Sequence, residues 1–251
     1  MRRFFIEQSK IASTKIFITG SDAAHIKKVL RMKSEDSIGL FDGRGFEYEA
    51  KIENLLAESI EVSITKCFLS ASESPVMIIV AQALLKDKKM DSLTRQLTEI
   101  GVARLIPFTS IRSVPGPDKK RLSTRKKRWE KISIEALKQC RRGHVTKIGE
   151  TITFNDVIKI DDECDLKIVF WENESKPVNG AVQQVHDRHY RKILAVLGPE
   201  GGFSKKEIED ARACGFVTAS LGPRILRSET AAVAACTILQ YIFGDMGLKK
   251  S

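Results

Sequence analysis

From Val76 onward the chain alternates short apolar runs with helical stretches, and this rhythm limits the fold more tightly than any other feature of the sequence. The runs Val76–Val80, Leu105–Phe108, Leu166–Phe170, Ile193–Leu197 and Val217–Leu221 read as buried strands. Between them, helical periodicity occupies about Lys89–Ile100, Ser123–Arg141, Lys205–Cys214 and Glu229–Phe243. Strand and helix in alternation mean an α/β domain with a largely parallel sheet. Such sheets collect ligands in the loops that leave the C-terminal ends of their strands.

Residues 1–70 follow another pattern. Short β-rich segments lie at Lys15–Thr19, Ser37–Phe41, Phe46–Ala50 and Ser59–Ile64, with Asp42-Gly43 and Gly45 supplying a turn. One helix is predicted from about Asp22 to Arg31, with Asp22 as its N-cap. Many short strands in few residues predict a small β-barrel. The polar stretch that ends at Pro75 marks a break. The expected organisation is therefore a barrel domain over 1–70, a linker over 71–75 and the α/β domain over 76–251.

Composition removes several classes. Apolar residues make up 42% of the 251, ordinary for a globular chain and enough to build a core without disulfide or metal staples. The longest apolar runs, around Val76–Leu85 and Ala231–Phe243, fall short of the ~18 residues a membrane span needs. The segment Met1–Glu7 carries positive charge with no apolar stretch behind it, so a secretory signal is not expected and the chain reads as cytosolic. The cysteines Cys67, Cys140, Cys164, Cys214 and Cys236 are scattered, without C-x-x-C spacing, and read as reduced thiols. No metalloprotease motif occurs among His25, His144, His186 and His189, and the Cys140/His144 pair alone supplies too few ligands for a metal.

Charge is concentrated. Lys119–Lys147 holds twelve basic residues and two acidic ones, an excess equal to the net +10 of the whole chain. Residues 1–70 are nearly balanced, with 11 basic against 10 acidic. A solvated helix face would account for an isolated basic run; one that dominates the field of the chain suits phosphate neutralisation. Nucleic acid is favoured over an anionic membrane surface, with Arg125, Lys126, Lys127, Arg128, Arg141 and Arg142 as the candidate contacts.

Two strand-to-helix loops carry the chemistry. In Leu197-Gly198-Pro199-Glu200-Gly201-Gly202-Phe203, three glycines permit close ligand approach. Ser204 and Glu207 then form a capping-box pattern at the start of the next helix. The second loop, Leu221-Gly222-Pro223-Arg224-Ile225-Leu226-Arg227, also opens on Leu-Gly-Pro, and Ser228 is the predicted cap of the following helix. The first loop fits neither the dinucleotide-binding nor the Walker A spacing. Together they point to a pocket for a small, part-aromatic ligand.

These loops resemble the signature of the S-adenosylmethionine-dependent RNA methyltransferases of the SPOUT, or trefoil-knot, superfamily. More narrowly, they resemble the bacterial family that methylates N3 of one uridine in 16S ribosomal RNA. The resemblance extends through Arg2-Arg3-Phe4-Phe5, His25 to Met32, Lys89-Met90-Asp91 to Val102, Ser110 to Ser113, Trp129 to Ile132, Gln139 to Arg142 and Phe243-Gly244-Asp245. Asp91 stands where the family usually has Glu, and Lys138 where Glu often precedes the Gln. The resemblance implies a PUA-like RNA-binding barrel, a C-terminal α/β domain threaded into a trefoil knot, a homodimer and the small ribosomal subunit as partner. It places S-adenosyl-L-methionine against Gly198, Glu200, Gly201, Leu221, Gly222, Ile225, Leu226 and Thr230. Methylating uracil N3 requires stabilising the charge left by its proton, and the candidates are Arg2, Arg3, Arg31, Arg142 and Arg227, with Glu229 or Glu200 as possible bases or cofactor ligands and His25 as a further base. Two alternatives stand beside this reading: a non-catalytic RNA-binding assembly factor, and a knotted methyltransferase acting on another RNA.

Overall fold

The structure is a computed structural model and describes residues 2–7, 11, 16–86, 88–113, 118–160, 164–182 and 190–247. Met1, Lys15, His186 and His189 lie outside the described residues. The chain divides into two compact units, Met1–Glu73 with Ile134–Val145, and Ser74–Ser133 with Thr146–Ser251. A segment from far along the sequence thus joins the first unit, which the composition break at 71–75 does not indicate.

The first unit holds a five-stranded sheet in the order β1-β3-β4-β5-β2, from β1 (Arg3–Phe5), β2 (Ile16–Thr19), β3 (Ser37–Phe41), β4 (Phe46–Leu55) and β5 (Ser59–Leu69). β1 runs parallel to β3 and the other pairs are antiparallel. Among the described residues no ladder joins β1 to β2, so the sheet is a half-barrel rather than a closed one. Alternate residues turn inward, Ile38 and Leu40, Ala50 and Ile52, Ile60 and Val62, which is the period-2 burial of a one-sided sheet. The predicted helix is α1 (Gly20–Ala24) continued by a π-helical turn at His25–Val29. Thr19, not Asp22, is its N-cap residue; Asp22 sits in the first turn and takes an ion pair from Lys138 at 2.8 Å. Arg31 follows in the left-handed conformation, φ 52°.

In the second unit the strands are β6 (Met77–Ala83), β7 (Val102–Thr109), β8 (Lys147–Ile148), β9 (Ile152–Thr153), β10 (Leu166–Phe170), β11 (Lys192–Leu197) and β12 (Val217–Ala219). They form a parallel sheet in the order β12-β10-β11-β6-β7-β8, with β9 also on β7. The apolar runs are buried on both sides, as a parallel sheet requires. On β6, Ile78 and Val80 face one core while Ile79, Ala81 and Ala83 face the other. The first core is closed by α2 (Lys89–Ile100), α3 (Lys119–Cys140) and α7 (Ser228–Phe243), through Leu93, Leu97, Trp129, Ala232, Ala235 and Leu239. The second is closed by α4 (Phe154–Ile158) and α6 (Lys205–Ala213), through Phe154, Val157, Ile208 and Ala211. A short helix, α5 (Val178–Val182), completes the described elements of the unit.

Two boundaries move from the sequence expectation. Helix α3 starts at Lys119 because Asp118 Oδ1 accepts from the Arg121 N–H at 2.8 Å, giving the basic run an earlier anchor. Strand β12 stops at Ala219 because the Ser220 N–H turns to the Lys176 carbonyl at 2.8 Å, which frees Leu221 for the loop.

Candidate active site

Register brings four strand ends to one level. Ala219 pairs with Phe170, Phe170 with Leu197, and Leu197 with Gln82, so the loops leaving β12, β10 and β11 emerge side by side beyond β6. Strands lie on both sides of β6 in the sheet, which makes this the crevice expected of an open parallel sheet. There the loops enclose a cavity of about 560 Å³, in the range of small-molecule sites.

Seven of the eight residues expected around the cofactor line this cavity: Gly198, Glu200, Gly201, Leu221, Gly222, Ile225 and Leu226. Thr230 is not among its lining and sits exposed on α7, whereas Ala231 reaches it. Ile225 is 87% exposed, an apolar side chain left open above the cavity. Phe170, Leu197, Pro199 and Pro223 supply further apolar wall.

The first loop is held from several sides. The predicted capping box forms: Ser204 Oγ accepts from the Glu207 N–H at 3.2 Å, and Glu207 Oε2 accepts from the Ser204 N–H at 2.8 Å. Glu207 is buried and also accepts from the Ile111 N–H at 3.1 Å. Arg112 donates to the Gly201 carbonyl at 3.2 Å, and a Cβ on Gly201 would press on Arg112 at 3.2–3.3 Å. Gly202 has φ +67°, and a Cβ there would collide with the Glu172 carboxylate. These glycines are required by backbone angle and by close approach, two separate reasons.

Ser228 is not the cap expected of it. Arg227 occupies the N-cap position of α7, and Ser228 is the first helical residue, its hydroxyl donating to the Gly198 carbonyl. Gln82, fully buried at the end of β6, donates to the same carbonyl at 3.2 Å and to Ser228 Oγ at 3.1 Å. One amide thus ties both Leu-Gly-Pro loops to the central strand. Its sequence signal was a lone polar residue inside the run Val76–Leu85.

Lys89, at the start of α2, is a second residue that motif reading did not place in the site. It meets Glu200 at 3.2 Å and Glu229 at 3.5 Å. Burial pushes the Glu200 carboxyl up, but backbone N–H groups, including that of Lys86, and Lys89 outweigh it and hold it below the usual range. The hydrogen bond to Glu200 raises Lys89 in turn. Glu229 is outside the cavity lining and faces Lys89. Glu174 braces the loop after β10: Thr218 donates to it, two backbone N–H groups and Arg212 add to this, and its carboxyl is held down at about 2.

The arginine candidates separate by environment. Arg3 is enclosed in the first unit, 3.3 Å from Glu47 and with its guanidinium 4.8 Å from the centre of the Phe41 ring. Arg142 is buried there on Glu73 at 3.1 Å. Arg2, Arg31, Arg141 and His25 are exposed on that unit. Arg227 lines the cavity, exposed, as does Arg224. On α3, Lys126 pairs with Glu150 and Arg128 with Asp91 at 2.6 Å, while Asp91 also accepts from buried Trp129 at 3.1 Å; Arg125 is half-buried and Lys127 exposed. Among the described residues no cluster of three metal-ligating side chains occurs, and no helix is long and apolar enough to cross a membrane. None of the five cysteines is in a disulfide, and burial pushes Cys236 up to about 12.

A parallel-sheet crevice walled by two Leu-Gly-Pro loops, with a separate half-barrel unit, is the arrangement of a two-domain RNA methyltransferase. The family model for the RNA methyltransferase domain matches residues 72–240, and that for the RNA methyltransferase PUA domain matches 18–65. The chain is 32% identical over 243 residues to ribosomal RNA small subunit methyltransferase E of Buchnera aphidicola, covering 97% of this chain and 94% of that one. The enzyme of the same name from Bacillus subtilis is 31% identical, with 96% of each chain covered. In structure it resembles the Neisseria gonorrhoeae enzyme of that name bound to S-adenosyl methionine, with TM-score 0.86, 28% identity and 98% of this chain and 99% of that one covered. A Legionella pneumophila methyltransferase with the same bound cofactor gives TM-score 0.85 at 29% identity over 97% of this chain and 98% of that one. The chain belongs to the ribosomal RNA small subunit methyltransferase E family.

Proposed function

We propose that this protein transfers the methyl group of S-adenosylmethionine to N3 of one uridine in 16S ribosomal RNA. The observation that carries the reading is the cavity at the ends of β10, β11 and β12, where both Leu-Gly-Pro loops converge. Its donor set suits that cofactor: apolar walls with Ile225 and Leu226 for a flat ring, main chain of two open loops for polar edges, and carboxylates for positive charge. Gly222, at φ +102°, has open space where a Cβ would stand, so the backbone can meet a ligand directly.

When bound, S-adenosylmethionine supplies an electrophilic methyl on a sulfonium. The protein positions the acceptor and manages its charge. Uracil N3 lies on the Watson–Crick edge, so the uridine is met unpaired or flipped out. Loss of its proton spreads negative charge onto the carbonyl oxygens. Arg227 lines the cavity, and its guanidinium makes no hydrogen bond or ion pair with the described residues, so it is available to stabilise that charge. Arg3 and Arg142 are engaged by Glu47 and Glu73 and serve the first unit's interior. Lys89 helps keep Glu200 ionised, and its ion pairs hold Glu200 and Glu229 in place.

RNA binding is assigned to the basic helix. Changing Arg125, Lys126, Lys127 and Arg128 together to Gln is expected to weaken RNA affinity and to flatten the slope of log K against log salt by about two. Arg125 and Lys127 account for most of this, because Lys126 and Arg128 already face carboxylates. An unchanged slope in a salt titration would return the run to a solvated face. A homodimer is part of the same proposal, supported by the outward side of α7 and the residues after it, where Tyr241, Ile242 and Met246 remain exposed.

The test is methyl transfer from labelled S-adenosylmethionine to unmodified small subunits and to naked 16S RNA, with the product nucleoside identified by mass. N3-methyluridine is the expected product. Cofactor binding without label on either substrate would point to another RNA. Absence of both would leave an RNA-binding factor.

A further inference from the structure

The cavity lining carries charge of both signs, and one of its two carboxylates is already engaged. Glu200 accepts from Lys89 Nζ at 3.2 Å and from the Lys86 N–H at 3.2 Å. Glu229, behind the wall, faces the same lysine. Glu172 is different. It lines the cavity two residues beyond the end of β10, and its carboxylate has no hydrogen bond or ion pair with the described residues. Its Oε1 occupies the space a Cβ on Gly202 would fill, so this carboxylate lies directly on the glycine-rich loop. It therefore stands between the two loops that wall the cavity, since β10 lies between β11 and β12 in the sheet.

We propose that Glu172 is the cation-recognising residue of the cofactor site, the carboxylate that meets the positive end of S-adenosylmethionine. The inference rests on the cofactor reading given above. S-adenosylmethionine carries two cationic centres, a sulfonium and an α-ammonium, against one α-carboxylate, and a protein carboxylate that no protein cation has neutralised complements the excess positive charge. Glu172 is solvent-exposed at the rim of the cavity and supplies that charge beside Phe170 and the glycine-rich loop, where an ammonium or sulfonium gives it a charge-assisted partner. Gly202 has the role of leaving the carboxylate room, and that requirement is separate from its backbone angle.

The experiment is calorimetric titration of the full chain and of Glu172→Gln with S-adenosylmethionine and with S-adenosylhomocysteine, which keeps the ammonium and lacks the sulfonium charge. Glu172→Gln is expected to raise the Kd for S-adenosylmethionine by about tenfold or more, with Tm unchanged because the carboxylate bonds nothing within the described protein. Equal loss for both ligands assigns Glu172 to the ammonium; loss for S-adenosylmethionine alone assigns it to the sulfonium. Glu172→Asp, which keeps the charge, is expected to recover part of the affinity. Wild-type affinity for both ligands in Glu172→Gln would overturn the inference. An unmodified chain that binds neither ligand would instead overturn the cofactor reading itself.

Discussion

Gly202→Val is expected to weaken S-adenosylmethionine binding by about 100-fold or more, with the fold retained. The left-handed φ of +67° at Gly202 is costly for any side chain and most costly for a β-branched one. The added Cβ would also stand where the Glu172 carboxylate lies, so that side chain must swing away from the loop. Both effects fall on the turn closed by the Gly202 N–H on the Pro199 carbonyl at 3.0 Å, which shapes the cavity wall. The core behind it, Phe203 packed with Phe108 and Phe154, is untouched. Calorimetry measures the affinity and circular dichroism the fold. Affinity within threefold of the unmodified chain would remove this loop from the cofactor site.

Arg227→Ala is expected to lower the rate of methyl transfer by about 10²–10³, the loss typical of removing one group that stabilises developing charge. Cofactor affinity is expected to change little, because the side chain makes no bond that holds either loop in place. Stability should also hold: Arg227 provides the N-cap backbone of α7 without a side-chain cap bond. Lysine at this position restores the charge but not the planar fork and should recover only part of the rate. Single-turnover transfer to RNA separates chemistry from binding. A rate within threefold of the unmodified enzyme would move the role to another cation, with Arg224 next in line at the cavity.

Both outcomes depend on residues the sequence marked. The glycines of Gly198–Gly202, the Ser204/Glu207 box and the apolar runs act through their immediate neighbours, so their consequences can be read within a few positions. The parallel sheet followed from runs too apolar to face water on either side, and β6, β10 and β11 are buried on both. The resemblance carried by the two loops led to the cofactor and to the family.

Other features had no local signal. Ser228 looked like a helix cap, and its hydroxyl instead holds Gly198, thirty residues earlier. Asp91 read as a departure from the family pattern, yet it accepts from Trp129 and pairs with Arg128 from α3. Arg3 and Arg142 looked free to act on RNA until Glu47 and Glu73 were placed against them. The division of α3 between units, with Ile134–Val145 joining the first, crosses no composition break.

What the sequence by itself determined is therefore what short-range stereochemistry dictates: which segments must be strands or helices, where the backbone must turn through glycine, and where positive charge accumulates. Only the tertiary structure decided which charges remain free for chemistry. Glu200 and Glu172 are both acidic loop residues in the sequence, and pairing by Lys89, more than a hundred positions from Glu200, engages one and leaves the other open. The availability of a charge depends on its partner, and partners are chosen by the packing of the chain rather than by neighbours along it.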